Sequence, residues 1–252
     1  MQITVLGNSG PYPAAGSGTT GYLLHTDVTD LLIDCGSGTV QQLFRFLEVG
    51  DLDAVILSHM HWDHVSDFFM LATAVQFGIM RHELAQDLMI PVYLQTQPQA
   101  MYDLITHCPA AEHFHFIPVK AQDHVRVMDV EITFTPARHP IPAVGALFES
   151  QGERLYYTGD TNTLEELAQY AKGADMVLAD CGLPDSVWHP DAPHLSATFC
   201  GKLAQVAGAA QLLLGHLPPY ASQDELLYEA QREFSAARLT QVGETYPVGE
   251  SK

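Results

Sequence analysis

The sequence is poor in basic residues. Its 11 Lys and Arg stand against 30 Asp and Glu, which gives a formal net charge of −19 at pH 7. Such a charge creates a field that repels phosphate backbones. The composition therefore argues against a large nucleic acid as the partner and favours a small molecule.

Long apolar runs are also absent. The longest, at residues 68–74 and 212–214, fall far short of the roughly 20 residues that cross a bilayer. Residues 1–25 contain no basic segment followed by an apolar stretch, which is the pattern of a secretion signal. The sequence therefore predicts a protein without a membrane segment, located in the cytoplasm.

Cysteines are few and widely spaced, with no Cys-x-x-Cys pair among Cys35, Cys108, Cys181 and Cys200. This pattern predicts free thiols in a reducing compartment. Cys35 and Cys181 each follow an Asp at a predicted strand end. The burial habits of free cysteine favour core packing for both over a role beside a functional site.

The chain of 252 residues is 47% hydrophobic and 16% charged, so it is long enough to bury a substantial core. No linker rich in Pro, Gly and Ser divides it, which predicts a single domain over residues 1–252. The two halves, about 1–120 and 121–252, each place strands before helices. That order predicts an α/β fold of two sheets packed face to face with helices outside.

The most informative stretch is residues 53–64, DAVILSHMHWDH. Residues 54–57 are apolar and include β-branched side chains, which predicts a buried strand. Four potential metal ligands follow it: His59, His61, Asp63 and His64. A turn at the carboxyl end of a strand can direct several side chains to one point. Imidazole and carboxylate groups together suit Zn²⁺, and also Fe or Mn.

Three further candidate ligands follow predicted strands downstream. They are His139 in ARHP, Asp160 in YTGDT and His216 in LGHL. Strands are rigid enough to hold ligands to within about 0.5 Å of a required geometry. Each histidine alone could be structural, but seven such residues at four strand ends together predict a metal centre.

The spacing His59-x-His61-x-Asp63-His64 resembles the signature of the metallo-β-lactamase-fold hydrolase superfamily, and the resemblance extends over most of the chain. GNSGPYP at 7–13 and HLPPY at 216–220 are similar to its ribonuclease Z-like branch, which includes tRNA 3′-end nucleases and phosphodiesterases. The resemblance implies a four-layer αββα sandwich of two mixed sheets with outer helices.

The resemblance also implies a two-cation site, with Zn expected and Mn or Fe as alternatives. It assigns one cation to His59, His61 and His139, the other to Asp63, His64 and His216, and a bridging position to Asp160. Two such cations bridge a water and lower its pKa to roughly 7, which provides hydroxide at neutral pH. Asp63 is then placed to orient or deprotonate this nucleophile as well as to bind metal.

His194 lies in PHLSA, ahead of a predicted helix. The ribonuclease Z-like branch has a His in a similar setting near the scissile phosphate, which implies that His194 protonates the leaving oxygen. The alternative is a solvent-facing His at a helix N-terminus. The sequence around His189 gives little support for a functional role. The Gly-rich segment 7–21 lacks the Gly-Lys-Ser/Thr of a P-loop, so it is interpreted as a rim loop.

The expected function is metal-dependent hydrolysis of a small phosphodiester or related ester. A tRNA 3′-end nuclease is an alternative, although no Gly- and basic-rich insertion of the kind that grips tRNA is present. Lactone or thioester hydrolysis stays open because those branches share the ligand set. The alternative without turnover is a metal-dependent sensor. A homodimer is expected on the resemblance alone.

Overall fold

A computed structural model describes residues 1–249. The first sheet is built from β1 (Gln2–Gly7), β2 (Gly21–His25), β3 (Asp30–Ile33), β4 (Ala54–Ile56), β5 (Ile90–Leu94) and β6 (Phe114–Pro118). The second contains β7 (His124–Val127), β8 (Val130–Pro136), β9 (Val144–Ser150), β10 (Glu153–Tyr157), β11 (Met176–Asp180), β12 (Gln211–Gly215) and β13 (Ala237–Leu239). A last strand, β14 (Thr245–Pro247), returns to the first sheet and pairs with β1.

Both sheets are mixed in the same way. In the first, β14, β1, β2 and β3 pair antiparallel, and β3 to β6 pair parallel. In the second, β7 to β10 pair antiparallel and β10 to β13 pair parallel. Parallel strands need crossover connections, and the helices supply several of them.

The helices cover the outer faces of the two sheets. They are α1 (Thr39–Leu43), α2 (Trp62–Val65), α3 (Phe68–Met80), α4 (Gln99–Thr106), α5 (Leu167–Ala171), α6 (Ala197–Ala207) and α7 (Gln223–Gln231), with short 3₁₀ turns at Val49–Asp51 and Ala111–His113. None of the helices within residues 1–249 has the length and apolar content needed to span a bilayer.

Three apolar clusters separate the four layers. Alternation along β1 places Ile3 and Val5 in the cluster between the sheets, and Leu6 in the cluster under α3. In the second sheet, Leu178 faces the first sheet while Val177 packs under α6. The predicted αββα sandwich is therefore confirmed. The single domain over 1–252 stays a prediction, and residues 250–252 lie outside the described chain.

The structure differs from the predictions in two late strands and in the boundaries of two helices. β13 and β14 are missing from the prediction because each is a three-residue strand that forms by pairing with a distant strand. The spacing of apolar residues predicts helices over about 40–47 and 66–78, whereas the structure has α1 at Thr39–Leu43 and α3 at Phe68–Met80. None of these differences moves a candidate ligand.

Candidate metal centre

The predicted ligands occupy loops that follow four strands. The turn 59–64 follows β4, while His139, Asp160 and His216 follow β8, β10 and β12. Gly159 (φ 58) and His216 (φ 52) have left-handed backbone, so the chain turns sharply after β10 and β12. For a histidine this conformation costs about 1 to 2 kcal/mol, which the surrounding structure must offset.

His59, His61 and His139 form the first group of ligands. The Nδ1 atom of His61 lies 3.0 Å from Nε2 of His59 and 3.0 Å from Nε2 of His139. The three rings meet edge to face. Three converging imidazole nitrogens are a donor set that suits Zn²⁺ and related cations.

Asp63, His64 and His216 form the second group. The Oδ2 atom of Asp63 lies 3.6 Å from Nε2 of His64 and 3.8 Å from Nε2 of His216. The rings of His64 and His216 stack with centroids 5.2 Å apart. Two nitrogens and a carboxylate oxygen thus face one point beside the first group.

Asp160 lies between the two groups. Its Oδ2 is 3.8 Å from Nε2 of His59 and 3.3 Å from Nε2 of His64, and its Oδ1 is 3.4 Å from Nδ1 of His216. A carboxylate with contacts to both groups occupies the position that a bridging ligand requires. The structure therefore brings all seven side chains together, in two groups of three with Asp160 between them.

Four of the imidazoles are held by a partner on Nδ1. His59 bonds Ser58 Oγ (3.1 Å), His64 bonds Asp34 (2.9 Å), His139 bonds the Pro193 carbonyl (3.1 Å) and His216 bonds Thr20 Oγ1 (3.0 Å). Partners of this kind fix the ring orientation and the tautomer of metal-binding histidines. They leave Nε2 of each of these four rings as the donor atom.

The pKa values of the cluster favour neutral imidazoles in most positions. Burial lowers the pKa of His59, His61 and His216, and lowers that of His139 to about 4. For His64 the carboxylates of Asp160 and Asp34 outweigh the effect of burial and raise the pKa well above its usual value.

Two buried nitrogens show that the residues fit a cation. Among the described residues, Nε2 of His64 and Nε2 of His216 have no hydrogen-bond partner. An unpaired buried polar atom costs about 1–3 kcal/mol. Both atoms belong to the second group and lie within 4 Å of Asp63 Oδ2. A divalent cation there would satisfy both nitrogens at once.

Asp34, at the end of β3, is the anchor beneath the cluster. Its carboxylate accepts hydrogen bonds from the backbone N–H of Ser58 (2.7 Å), from Ser58 Oγ (2.8 Å) and from the Tyr157 hydroxyl (2.7 Å). It also accepts from Nδ1 of His64. The family resemblance implies that Asp34 bonds a ligand or fixes the loop, and in the structure its carboxylate contacts both His64 and the backbone of Ser58.

The Gly-rich segment 7–21 supports the second group of ligands, which the sequence did not reveal. A Cβ on Gly10 would lie 2.1 Å from the ring of His216, so only glycine lets the backbone approach that ring. Thr20 bonds the same ring. A Cβ on Gly36, which follows β3, would lie 2.0 Å from the Asp63 carbonyl. Such contacts between distant segments leave no signal in local sequence.

His194 lies beside the cluster and pairs with Asp180, at the end of β11. Its Nδ1 is 2.9 Å from Asp180 Oδ2, and its ring stacks on that of His216. Burial raises the pKa of Asp180 to about 6, while the Asp180 carboxylate outweighs burial and raises the pKa of His194 to about 9. At neutral pH the pair is therefore a protonated His194 and an ionised Asp180. The sequence did not single out Asp180.

A cleft of about 310 Å³ opens onto the cluster. Six titratable residues line it: His61, Asp63, His139, Asp160, His194 and His216. The volume is at the low end for small-molecule sites.

His189 is exposed and does not line this cleft. Cys35 and Cys181 are buried in apolar clusters, as predicted.

Two ligand groups with a carboxylate between them, held at the strand ends of an αββα sandwich, define a metallo-hydrolase of the metallo-β-lactamase fold. Sequence comparison agrees. Residues 29–217 match the family described as "Beta-lactamase superfamily domain", and the chain belongs to that superfamily.

The similar proteins include hydrolases and ribonucleases of this fold. "Probable metallo-hydrolase YhfI" of Bacillus subtilis is 30% identical over 235 residues, which cover 93% of this chain and 94% of that protein. The crystal structure of YhfI has a TM-score of 0.88 at 28% identity, covering 98% of this chain and 99% of that one. Ribonuclease Z of Ignicoccus hospitalis is 24% identical over 96% of this chain and 97% of its own.

Proposed function

We propose that the protein hydrolyses a small phosphodiester or a related ester at a two-cation centre, with Zn as the resident metal. The observation that carries the proposal is the convergence of six candidate ligands into two groups around a seventh, Asp160. Similarity to YhfI and to ribonuclease Z supports metal-dependent hydrolysis as the reaction class. Mn and Fe are compatible with the same donors.

Three residues of the chain would each have a separate role in hydrolysis, beside the cations. Two bound cations would supply Lewis acidity and lower the pKa of water to about 7. Asp63, whose carboxylate lies beside His64 and His216 and lines the cleft, would orient the attacking water and accept a proton. His194 is protonated at neutral pH and would donate a proton to the leaving oxygen. Asp180 would position the His194 ring and keep it charged.

The size and charge of the site favour a small substrate over RNA. The cleft holds about 310 Å³, and no Lys or Arg is among the residues that line it. The net charge of −19 opposes a polyanionic chain. A cytoplasmic location and a homodimer accompany this proposal as predictions, which fractionation and light scattering would check.

The test combines metal analysis with a substrate panel. The purified protein is assayed on bis-p-nitrophenyl phosphate, a cyclic nucleotide, a lactone and a precursor tRNA. We expect about two divalent ions per chain and hydrolysis of the phosphodiesters, which a chelator abolishes. Cleavage of the precursor tRNA alone would replace the proposal with RNA processing. Bound metal with no turnover of any ester would replace it with a sensor role.

A further inference from the structure

The walls of the cleft divide into two chemical classes. Six lining residues are the titratable groups of the metal centre and His194. The other four are Pro11, Trp62, Pro140 and Pro193. These four are apolar and stiff, and only the indole of Trp62 carries a side-chain hydrogen-bond donor. The part of a substrate that extends beyond the reacting group therefore meets an apolar wall.

Trp62 is the largest side chain on this wall, and it is 62% exposed. Leaving an indole in water forgoes a burial that contributes several kcal/mol for aromatic side chains. The backbone at this position is fixed on both sides, because His61 and Asp63 belong to the metal centre. The side chain of Trp62 thus starts from a fixed point at the cleft, and most of its surface is open to a bound molecule.

We propose that Trp62 is the substrate-binding platform of this enzyme, on which a planar aromatic ring of the phosphodiester stacks while the phosphate occupies the metal centre. This inference rests on the proposed function and names its substrate class: phosphodiesters that carry a nucleobase or another flat aromatic ring. An aromatic face suits every such ring, because stacking is tolerant of ring identity. The three prolines that line the same cleft have no side-chain hydrogen-bond donors or acceptors to compete for the ring.

The direct test uses the intrinsic fluorescence of the metal-loaded protein. The sequence has two tryptophans. Trp188 packs on Phe199, and its Nε1 has no hydrogen-bond partner among the described residues, so Trp188→Phe is a mild substitution. In that variant Trp62 is the remaining indole. Adenosine 5′-monophosphate and ribose 5-phosphate then serve as matched probes, because they share the phosphate and differ by the base.

We expect adenosine 5′-monophosphate to quench Trp62 and to bind about 5- to 100-fold more tightly than ribose 5-phosphate, which is the usual contribution of one stacked base. Trp62→Leu should reduce this preference to near unity, and Trp62→Phe should retain part of it. The control is Tyr228→Leu, which removes an exposed aromatic ring on α7 that does not line the cleft. Metal content is measured for every variant.

Two results would overturn the proposal that Trp62 stacks the base. One is equal affinity for the two probes, and the other is a preference for adenosine 5′-monophosphate that survives Trp62→Leu. The quenching experiment in the Trp188→Phe variant needs no change at Trp62, so it decides the question even where a Trp62 variant loses metal. Hydrolysis of phosphodiesters without base preference would contradict the platform alone. Base-dependent quenching without hydrolysis of any phosphodiester would contradict the proposed function and leave the stacking site standing.

Discussion

Replacing Asp34 with Asn separates the role of its charge from that of its shape. The carboxylate has four donors around it: two from Ser58, one from Tyr157 and one from His64. An Asn side chain keeps the size and tolerates the left-handed backbone found here (φ 55). It has one acceptor oxygen, so in either orientation its NH₂ faces at least one donor.

The expected cost follows from these contacts. In the better orientation, the NH₂ faces the backbone N–H of Ser58, and one buried donor loses its partner at about 1–3 kcal/mol. The three remaining bonds lose their charge assistance, so the total loss of stability is about 2–4 kcal/mol. His64 also loses the carboxylate that raises the basicity of its ring, which should weaken metal binding by about 10- to 100-fold.

Two measurements check this prediction. Denaturant unfolding of the metal-free protein gives the change in stability, and titration against a competing chelator gives the metal affinity. Tyr157→Phe is the matched control, because it removes one donor and keeps the carboxylate. It should cost about 1 kcal/mol and leave metal affinity nearly unchanged. An Asp34→Asn protein with normal stability and normal metal affinity would refute the role assigned to Asp34.

Three further variants test other parts of the structure. His194→Gln should lower turnover by about 10²- to 10⁴-fold on a substrate with a poor leaving group, with metals retained. In the unmodified protein, turnover should fall as pH rises through about 9, because His194 then loses its proton. Equal turnover in the variant and the unmodified protein would show that His194 is not the general acid. Asp129 accepts hydrogen bonds from the hydroxyls of Thr26 and Ser150, which hold its pKa down to about 2 against the opposing effect of burial. Asp129→Asn should therefore lower stability above pH 4 and make the loss of stability between about pH 4 and 2 smaller than in the unmodified protein. A pH profile with the same slope in both proteins would contradict this. Gly10→Ala should displace the His216 ring and weaken metal binding at least tenfold by chelator titration, whereas Gly50→Ala, which meets only the flexible end of a leucine, should not.

The seven candidate ligands could be predicted because each follows a strand with a clear apolar pattern. β4 illustrates this, since Ala54, Val55 and Ile56 are all buried and the ligand turn begins three residues later. The predicted division into two halves at about residue 120 also matches the division of the strands between the two sheets, except for β14. Regular elements of this kind carry their signal in local periodicity.

The supports of the site could not be predicted in the same way. Thr20 and Gly10 contact His216 from some 200 positions away, and nothing in their own neighbourhood marks them. Asp180 pairs with His194 because the fold packs the end of β11 against the loop before α6, and this contact between separate segments has no local sequence signal. Contacts of this type depend on how strands are ordered in a sheet, which residue spacing does not encode.

The most direct test of the whole account is a crystal structure of the protein grown with Zn²⁺, using anomalous scattering to locate the metal. We predict two peaks in the anomalous map. One should lie among His59, His61 and His139, the other among Asp63, His64 and His216, with Asp160 in contact with both. A structure with no peak at either group, or with the carboxylate of Asp160 turned away from both, would contradict it.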